Sequence, residues 1–249
     1  MAKYLFVGDL HDDLEAATQS IGHAVDSGCK EIIQVGDWGF FWTRGDGHWK
    51  ELSAALVEAN MKMRFCDGNH DHHPRLRALK RDTEDNAAPG ITYQHRGTVK
   101  EFPDGVRMLF MGGAPSIDKA WRTKNISWWE EEYITEEDVQ AALSHKGKPV
   151  DIFVTHDSAI YPKGIKEIKD MGYNYRALDS KEKLLKLIEE LNPVLQIHGH
   201  YHVRHTSKIR NTLVEGLGSN MQTFKDRHYI YERKEAEDVS EPRTGDDVR

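Results

Sequence analysis

Short apolar runs recur along this chain, and several stop abruptly at an aspartate, an asparagine or a histidine. Residues 4–7 end in Gly8-Asp9-Leu10-His11, and residues 31–35 end in Gly36-Asp37. Residues 62–66 deliver Gly68-Asn69-His70-Asp71; 150–154 deliver Thr155-His156-Asp157; 194–197 deliver His198-Gly199-His200-Tyr201-His202. An apolar run this short, bounded by turn residues, is a buried strand. Between the first two runs, Leu14, Ala17, Ile21, Ala24 and Val25 keep helical spacing behind Asp12-Asp13, and Gly28 closes the segment. Strand, helix and strand in that order imply a parallel pair joined by a right-handed crossover. Loops beyond the carboxyl ends of such strands share one rim, where α/β sheets bind their ligands. The polar stretches are therefore bound to meet, which constrains the fold more than any other feature of the sequence.

The remaining segments fill in an α/β chain. After Asp37 comes an aromatic loop, Trp38-Gly39-Phe40-Phe41-Trp42. Its rings suit stacking on a base, or equally a wedge packed on a second sheet. Residues 49–60 read as an amphipathic helix with Leu52, Leu56 and Ala59 on one face. A helix from near Pro74 presents Arg75, Arg77, Lys80 and Arg81 to solvent. From Ile91 the pattern turns to β: 91–93 and 98–102 are expected to pair around Arg96-Gly97, and Pro103-Asp104-Gly105 turns the chain into 106–111. The stretch 112–131 carries Ser116, Asp118, Trp121, Arg122, Trp128, Trp129, Glu130 and Glu131, and is too long and too rich to be only a connector. Thr135 is placed as an N-cap with Asp138 completing a capping box. Residues 158–178 read as loop, and 181–191 as a helix stopped by Pro193. Runs at 203–209, 212–217 and 228–231 are expected as antiparallel strands closing a second sheet. The expected organisation is one domain over residues 1–232 and a charged, disordered tail over 233–249.

Composition narrows the function classes. A net charge of −7 provides no basic field to draw the chain onto nucleic acid or an anionic membrane. A nucleotide-sized substrate stays open, because bound cations supply local positive charge. No apolar run approaches the ~20 residues that span a bilayer. The first residues lack the apolar core of a signal peptide, and two cysteines, Cys29 and Cys66, are too few for a disulfide framework. A cytoplasmic location is the expectation.

Asp9, His11, Asp37, Asn69, His70, His156, His200 and His202 each follow an apolar run by a few residues. Carboxylate, imidazole and amide oxygen are the donor set for divalent cations such as Mn²⁺, Fe²⁺ or Zn²⁺. Cysteine is absent from the set, which argues against a closed thiolate zinc site. Eight such groups are too many for one ion and enough for two that share a carboxylate. Asp37, alone in the middle loop, is the natural bridge. Any one of these stretches reads equally well as a turn or a helix cap; five at strand ends in one donor chemistry do not.

These blocks, Asp9-Leu10-His11, Gly36-Asp37, Gly68-Asn69-His70-Asp71, His156 and Gly199-His200-Tyr201-His202, resemble the five signature blocks of the calcineurin-like metallophosphoesterase superfamily, in the family's order. The resemblance implies a four-layer α/β/β/α sandwich of two mixed sheets, with a dinuclear metal site at one edge. It places Asp9, His11, Asp37 and His202 on one metal, and Asp37, Asn69, His156 and His200 on the other. Mn²⁺ is the leading ion, with Fe²⁺, Zn²⁺ or Mg²⁺ as alternatives. His70 is then the non-ligand histidine beside the leaving group, acting as general acid or hydrogen-bond donor, and Asp71 is its candidate orienting partner or, equally, the N-cap of the helix near Pro74. Two such cations clamp a phosphate and activate a bridging hydroxide for in-line attack on phosphorus. Protein Ser/Thr phosphatases of the family carry a further Asp and Arg after the second block, where this chain has Trp38, Gly39, Phe40 and Phe41. The expected substrate is a phosphodiester of a small nucleotide, cyclic ones included, then a monoester. Trp38, Phe40, Ser116, Asp118 and Arg122 are the candidate substrate contacts, Arg122 either holding a phosphate oxygen or pairing with Glu130 or Glu131. The rival readings are a nuclease acting on DNA or RNA ends, and a binding module on the same fold.

Overall fold

The computed structural model describes residues 2–41, 48–162, 165 and 174–233. Eleven strands among them form two mixed sheets. The first contains β1 (Lys3–Val7), β2 (Glu31–Gln34), β3 (Met63–Phe65), β4 (Ile91–Tyr93) and β11 (His228–Glu232), ordered β11-β1-β2-β3-β4. The second contains β5 (Thr98–Glu101), β6 (Arg107–Met111), β7 (Ile152–Thr155), β8 (Leu195–His198), β9 (His205–Ile209) and β10 (Thr212–Gly216), ordered β5-β6-β7-β8-β10-β9. The α-helices among the described residues are α1 (Leu14–Asp26), α2 (Trp49–Glu58), α3 (His73–Arg77), α4 (Glu136–Leu143), α5 (Asn174–Leu191) and α6 (Phe224–Arg227).

Strand alternation builds the layers, because neighbouring side chains point to opposite faces. In β1, Leu5 and Val7 join α1 and α2 residues such as Ala17, Ile21, Leu52 and Leu56 in one core. Tyr4 and Phe6 face the other way, into a core shared with Met108, Phe110, Ile152, Val154 and Ile197 of the second sheet. The far face of that sheet, with Leu109, Phe153 and Val214, packs on Val139 of α4 and on Leu184, Leu187 and Ile188 of α5. Helix, sheet, sheet and helix thus stack as four layers around three apolar cores. Asp13 caps α1 by accepting from the amide of Ala16 at 2.9 Å, and the capping box of Thr135 and Asp138 is formed at α4.

Several expectations need correction. Residues 91–93 and 98–102 do not form a hairpin: β4 pairs with β3, parallel, in the first sheet, and β5 pairs with β6, antiparallel, in the second. The segment around Arg96-Gly97 is the crossing between sheets, and local alternation holds no information about which sheet a strand joins. β10 runs parallel to β8 and antiparallel to β9. β11 leaves the second sheet altogether and lies antiparallel to β1, Val7 opposite His228. α5 starts at Asn174 and not at 181. Trp42, residues 163–164 and 166–173 of the expected loop, and 234–249 of the expected tail lie outside the described residues. Among the described residues no helix is long and apolar enough to cross a membrane.

Candidate metal centre

The parallel strands β1, β2, β3, β7 and β8 all deliver their following loops to one rim. Asp9 follows β1, Asp37 follows β2, Asn69 and His70 follow β3, His156 follows β7, and His200 and His202 follow β8. One donor atom each from Asp9, His11, Asp37 and His202 lies within 4.8 Å of the others. His202 Nε2 is 3.0 Å from Asp9 Oδ2 and 3.2 Å from His11 Nε2. His11 Nε2 is 3.8 Å from Asp37 Oδ2. On the other side of Asp37, His156 Nε2 stands 3.4 Å from Asp37 Oδ1 and 3.1 Å from Asn69 Oδ1, and the His200 ring lies 5.2 Å from the His156 ring. All seven expected donors are therefore brought together, with Asp37 between two groups.

The donor chemistry of these residues fits cations. His156 Nδ1 lies 2.9 Å from the carbonyl of Val35, which fixes the proton on Nδ1. Nε2 then presents a lone pair to two oxygens that are themselves acceptors. Three acceptors converging in a buried place require positive charge between them, either a second proton on the ring or a cation. The same demand appears in the proton affinities. Burial alone would lower that of His156, but the Asp37 carboxylate overrides it and pushes it up to about 10. Burial would raise Asp37, yet the surrounding histidines, His156 first, hold it well below the usual carboxylate range. His200, by contrast, is lowered to about 4 by burial and so offers a neutral imidazole.

The local backbone shows how the site is held. His11, Asp37, His200 and His202 adopt φ of 49°, 52°, 67° and 52°. Such angles cost non-glycine residues ~1–3 kcal/mol each and persist only where the surroundings enforce them. Here backbone amides help: His70 N donates to Asp37 Oδ1 at 2.6 Å, and His200 N donates to Asp9 Oδ2 at 3.1 Å. Two glycines permit the close approach. A Cβ at Gly36 would stand 2.4 Å from Nδ1 of His156, and one at Gly68 would stand 2.1 Å from Oδ1 of Asp37.

His70 sits beside the donors with 37% of its side chain exposed, its Nε2 3.9 Å from Asp118 Oδ2 and its ring 5.4 Å from that of His11. Burial outweighs the pull of Asp37 and lowers its proton affinity. It lines a cleft of about 170 Å³ with Asp37, Asn69, Ile117, His200, Tyr201 and His202. Asp71 is placed behind the site. Its carboxylate accepts from the amides of Gly39 (2.7 Å), Gly68 (2.8 Å) and Trp38 (3.2 Å), tying the loop after β2 to the loop after β3. Burial and the neighbouring Asp37 charge push it up to about 7. The N-cap of α3 is His72.

The candidate substrate contacts fare differently. Trp38 and Phe40 are fully buried, with Trp38 stacked on Phe65 at 4.4 Å and 18°. They belong to the core between the first sheet and its helices, so no ring face is left for a base; the wedge reading holds, but on the first sheet and not the second. Ser116 is buried behind Asn69, whose Nδ2 lies 3.2 Å from its Oγ. Arg122 Nη1 donates to Ser116 Oγ (2.7 Å) and to the carbonyl of Asn69 (3.1 Å), and lies 3.6 Å from Asp118. Glu130 pairs with Lys124 instead. Of the set, Asp118 reaches His70.

Three supporting groups had no sequence signal strong enough to single them out. Glu132, fully buried, accepts from Ser116 Oγ at 2.6 Å and from its amide at 2.9 Å. Asp67, next to Gly68, pairs with buried Arg96, which also donates to the carbonyls of Glu131, Glu132 and Tyr133. Asp157 accepts from Lys181 (3.1 Å), Ser180 (2.8 Å) and the Tyr201 hydroxyl (2.9 Å). In sequence each is one polar residue among many; only the fold pairs them.

A family model described as calcineurin-like phosphoesterase matches residues 2–204. No curated protein sequence matches. Among solved structures, TT1561 of Thermus thermophilus is 18% identical, with a TM-score of 0.60 over 88% of this chain and 89% of that one. A dimetal phosphatase from Danio rerio is 11% identical, with a TM-score of 0.57 over 91% of each chain. GAP50, the anchor in the inner membrane complex of Plasmodium, is 14% identical, with a TM-score of 0.54 over 92% of this chain and 81% of that one. At such identities the structures share the fold. The match over most of the length, on the same strands and loops that assemble the Asp, His and Asn donors, makes this chain a member of the calcineurin-like phosphoesterase family.

Proposed function

We propose that the chain hydrolyses phosphodiester bonds of small nucleotides, cyclic nucleotides included, with two divalent cations, Mn²⁺ foremost. The observation that carries this reading is the convergence of seven donors from five loops on one rim, with His70 beside them. Asp9, His11, Asp37 and His202 would hold one cation; Asp37, Asn69, His156 and His200 would hold the other. Bound there, the pair supplies positive charge to the phosphoryl oxygens and acidifies a coordinated water. The chain's own part is preorganisation. Buried carboxylates pinned by backbone amides need little rearrangement as charge develops. His70 stands at the cleft where a leaving oxygen would emerge and donates a proton or a hydrogen bond to it.

The test is turnover by Mn²⁺-loaded protein of a chromogenic phosphodiester against the matching monoester, then of 2′,3′-cyclic, 3′,5′-cyclic and linear nucleotides. The diester is expected to turn over faster. Bound metal without turnover of any ester would favour a binding module, and salt-sensitive cleavage of oligonucleotide ends would favour a nuclease.

A further inference from the structure

Asn69 is the one donor of the seven that ends in an amide, with an oxygen and a nitrogen at its tip. Its Oδ1 can hold a cation; its Nδ2, a donor, would repel one. Something must therefore decide which atom faces the site. Nδ2 of Asn69 lies 3.2 Å from Ser116 Oγ, and Oδ1 lies on the side of His156. The hydroxyl of Ser116 has one proton, and that proton goes to the buried carboxylate of Glu132 at 2.6 Å. The lone pairs of Oγ then accept from Asn69 and from Arg122. An ionised carboxylate only accepts, so Glu132 dictates the direction of every hydrogen bond in the chain: Asn69 to Ser116, and Ser116 to Glu132. The amide of Ser116 donates to the other oxygen of Glu132 at 2.9 Å, which holds the carboxylate in place.

We infer that Glu132 and Ser116 are positioning residues that lock the Asn69 amide with its oxygen toward the second cation. This rests on the metal reading proposed above. Glu132→Gln keeps the size but reverses the polarity. The new NH₂ donates to Ser116 Oγ, which then faces three donors with two lone pairs. The Ser116 proton is driven toward Asn69, and the amide is free to turn its nitrogen inward.

A double-mutant cycle read by direct Mn²⁺ titration, not by turnover, tests this. Glu132→Gln is expected to weaken the second Mn²⁺ by about 10–100-fold, as loss of an outer partner of a metal ligand typically does. In an Asn69→Asp background both terminal atoms are oxygens and orientation no longer matters. There Glu132→Gln is expected to cost little. A purely structural role for Glu132 would give losses in the two backgrounds that agree within about twofold, and that result would overturn the inference. Thermal unfolding in chelator checks the fold of each variant. Should Glu132→Gln not fold, Ser116→Ala enters the same cycle with the same expectations. Wild-type protein that binds fewer than two Mn²⁺ would remove the metal reading itself, an outcome separate from any variant.

Discussion

Gly68→Ala is the most economical perturbation of the site, since it adds one methyl group and changes no charge. Gly68 does not occupy the left-handed region, so alanine meets no backbone strain there, and the effect is purely one of space. The Cβ would stand 2.1 Å from Oδ1 of Asp37, 2.3 Å from its amide nitrogen and 2.7 Å from Nε2 of His156. Real Cβ atoms keep beyond 3.0 Å, so the methyl lacks at least 0.9 Å against Oδ1 and 0.7 Å against the amide. Backbone is among the atoms in the way, so no rotamer change relieves the clash. Asp37 must move by several tenths of an ångström, where metal–ligand distances tolerate about 0.2 Å. The expected consequences are a loss of about 1–3 kcal/mol from overpacking, a Tm lower by roughly 2–12 °C, and Mn²⁺ affinity weaker by at least about tenfold. Calorimetric Mn²⁺ titration and thermal unfolding in chelator read the two separately. Gly22→Ala is the control: nothing lies within 4 Å of its Cβ in α1, and it should gain about 0.5–1 kcal/mol. If Gly68→Ala binds Mn²⁺ like wild type and melts no lower, the close approach of Gly68 to Asp37 is not what holds the site.

Asp37→Ala should lose Mn²⁺ and turnover together, whereas His70→Ala should keep both ions and lose about 10²–10⁴-fold in rate; wild-type turnover by the second variant would remove His70 from the mechanism. Trp38→Ala should cost about 3–5 kcal/mol in urea unfolding and leave KM unchanged, and a raised KM with intact stability would restore the stacking role. Arg96→Leu leaves Asp67 buried without its cation and should cost about 3–5 kcal/mol; an unchanged urea midpoint would show that the pair holds nothing together. His73 and His228 are buried, with proton affinities lowered by burial to about 3 and about 4. Above pH ~6.5 neither the folded nor the unfolded chain holds their protons. Below it the unfolded chain takes up two that the fold refuses, so these groups should lower stability by about 2.7 kcal/mol per pH unit down to about pH 4. Urea midpoints at pH 7, 6 and 5 that coincide would contradict this, and His228→Gln should reduce the slope by about 1.4 kcal/mol per pH unit.

The donors were legible in sequence because each strand is short, and the first polar residues beyond it have only one rim to reach. Asp9, Asp37, His156 and His200 needed no knowledge of partners, only of strand ends. Sheet membership was not legible for 91–93, 98–102 and 228–231. Alternation reveals a strand's two faces but not its neighbour, and β11 pairs with a segment at the other end of the chain. The role of the aromatic loop was open for a related reason: Trp38 and Phe40 lie next to Asp37 in sequence, yet point away from it into the core. Glu132 stayed hidden because its partner, Ser116, belongs to a loop with no periodicity, and its neighbours Glu130 and Glu131 look identical in composition.

β11 also bears on how this protein is made. More than two hundred residues separate Val7 from the His228 that it faces. At ribosomal rates of about 5–20 residues per second, one flank of β1 waits roughly 10–40 seconds for its mate. Throughout synthesis, then, an apolar Leu-Phe-Val strand carries an open row of amides and carbonyls, the kind of template that recruits other chains. Crowded expression should therefore favour clumping of unfinished polypeptide over that of the finished molecule, and holding chaperones should raise the yield more than any stabilising change in the completed fold.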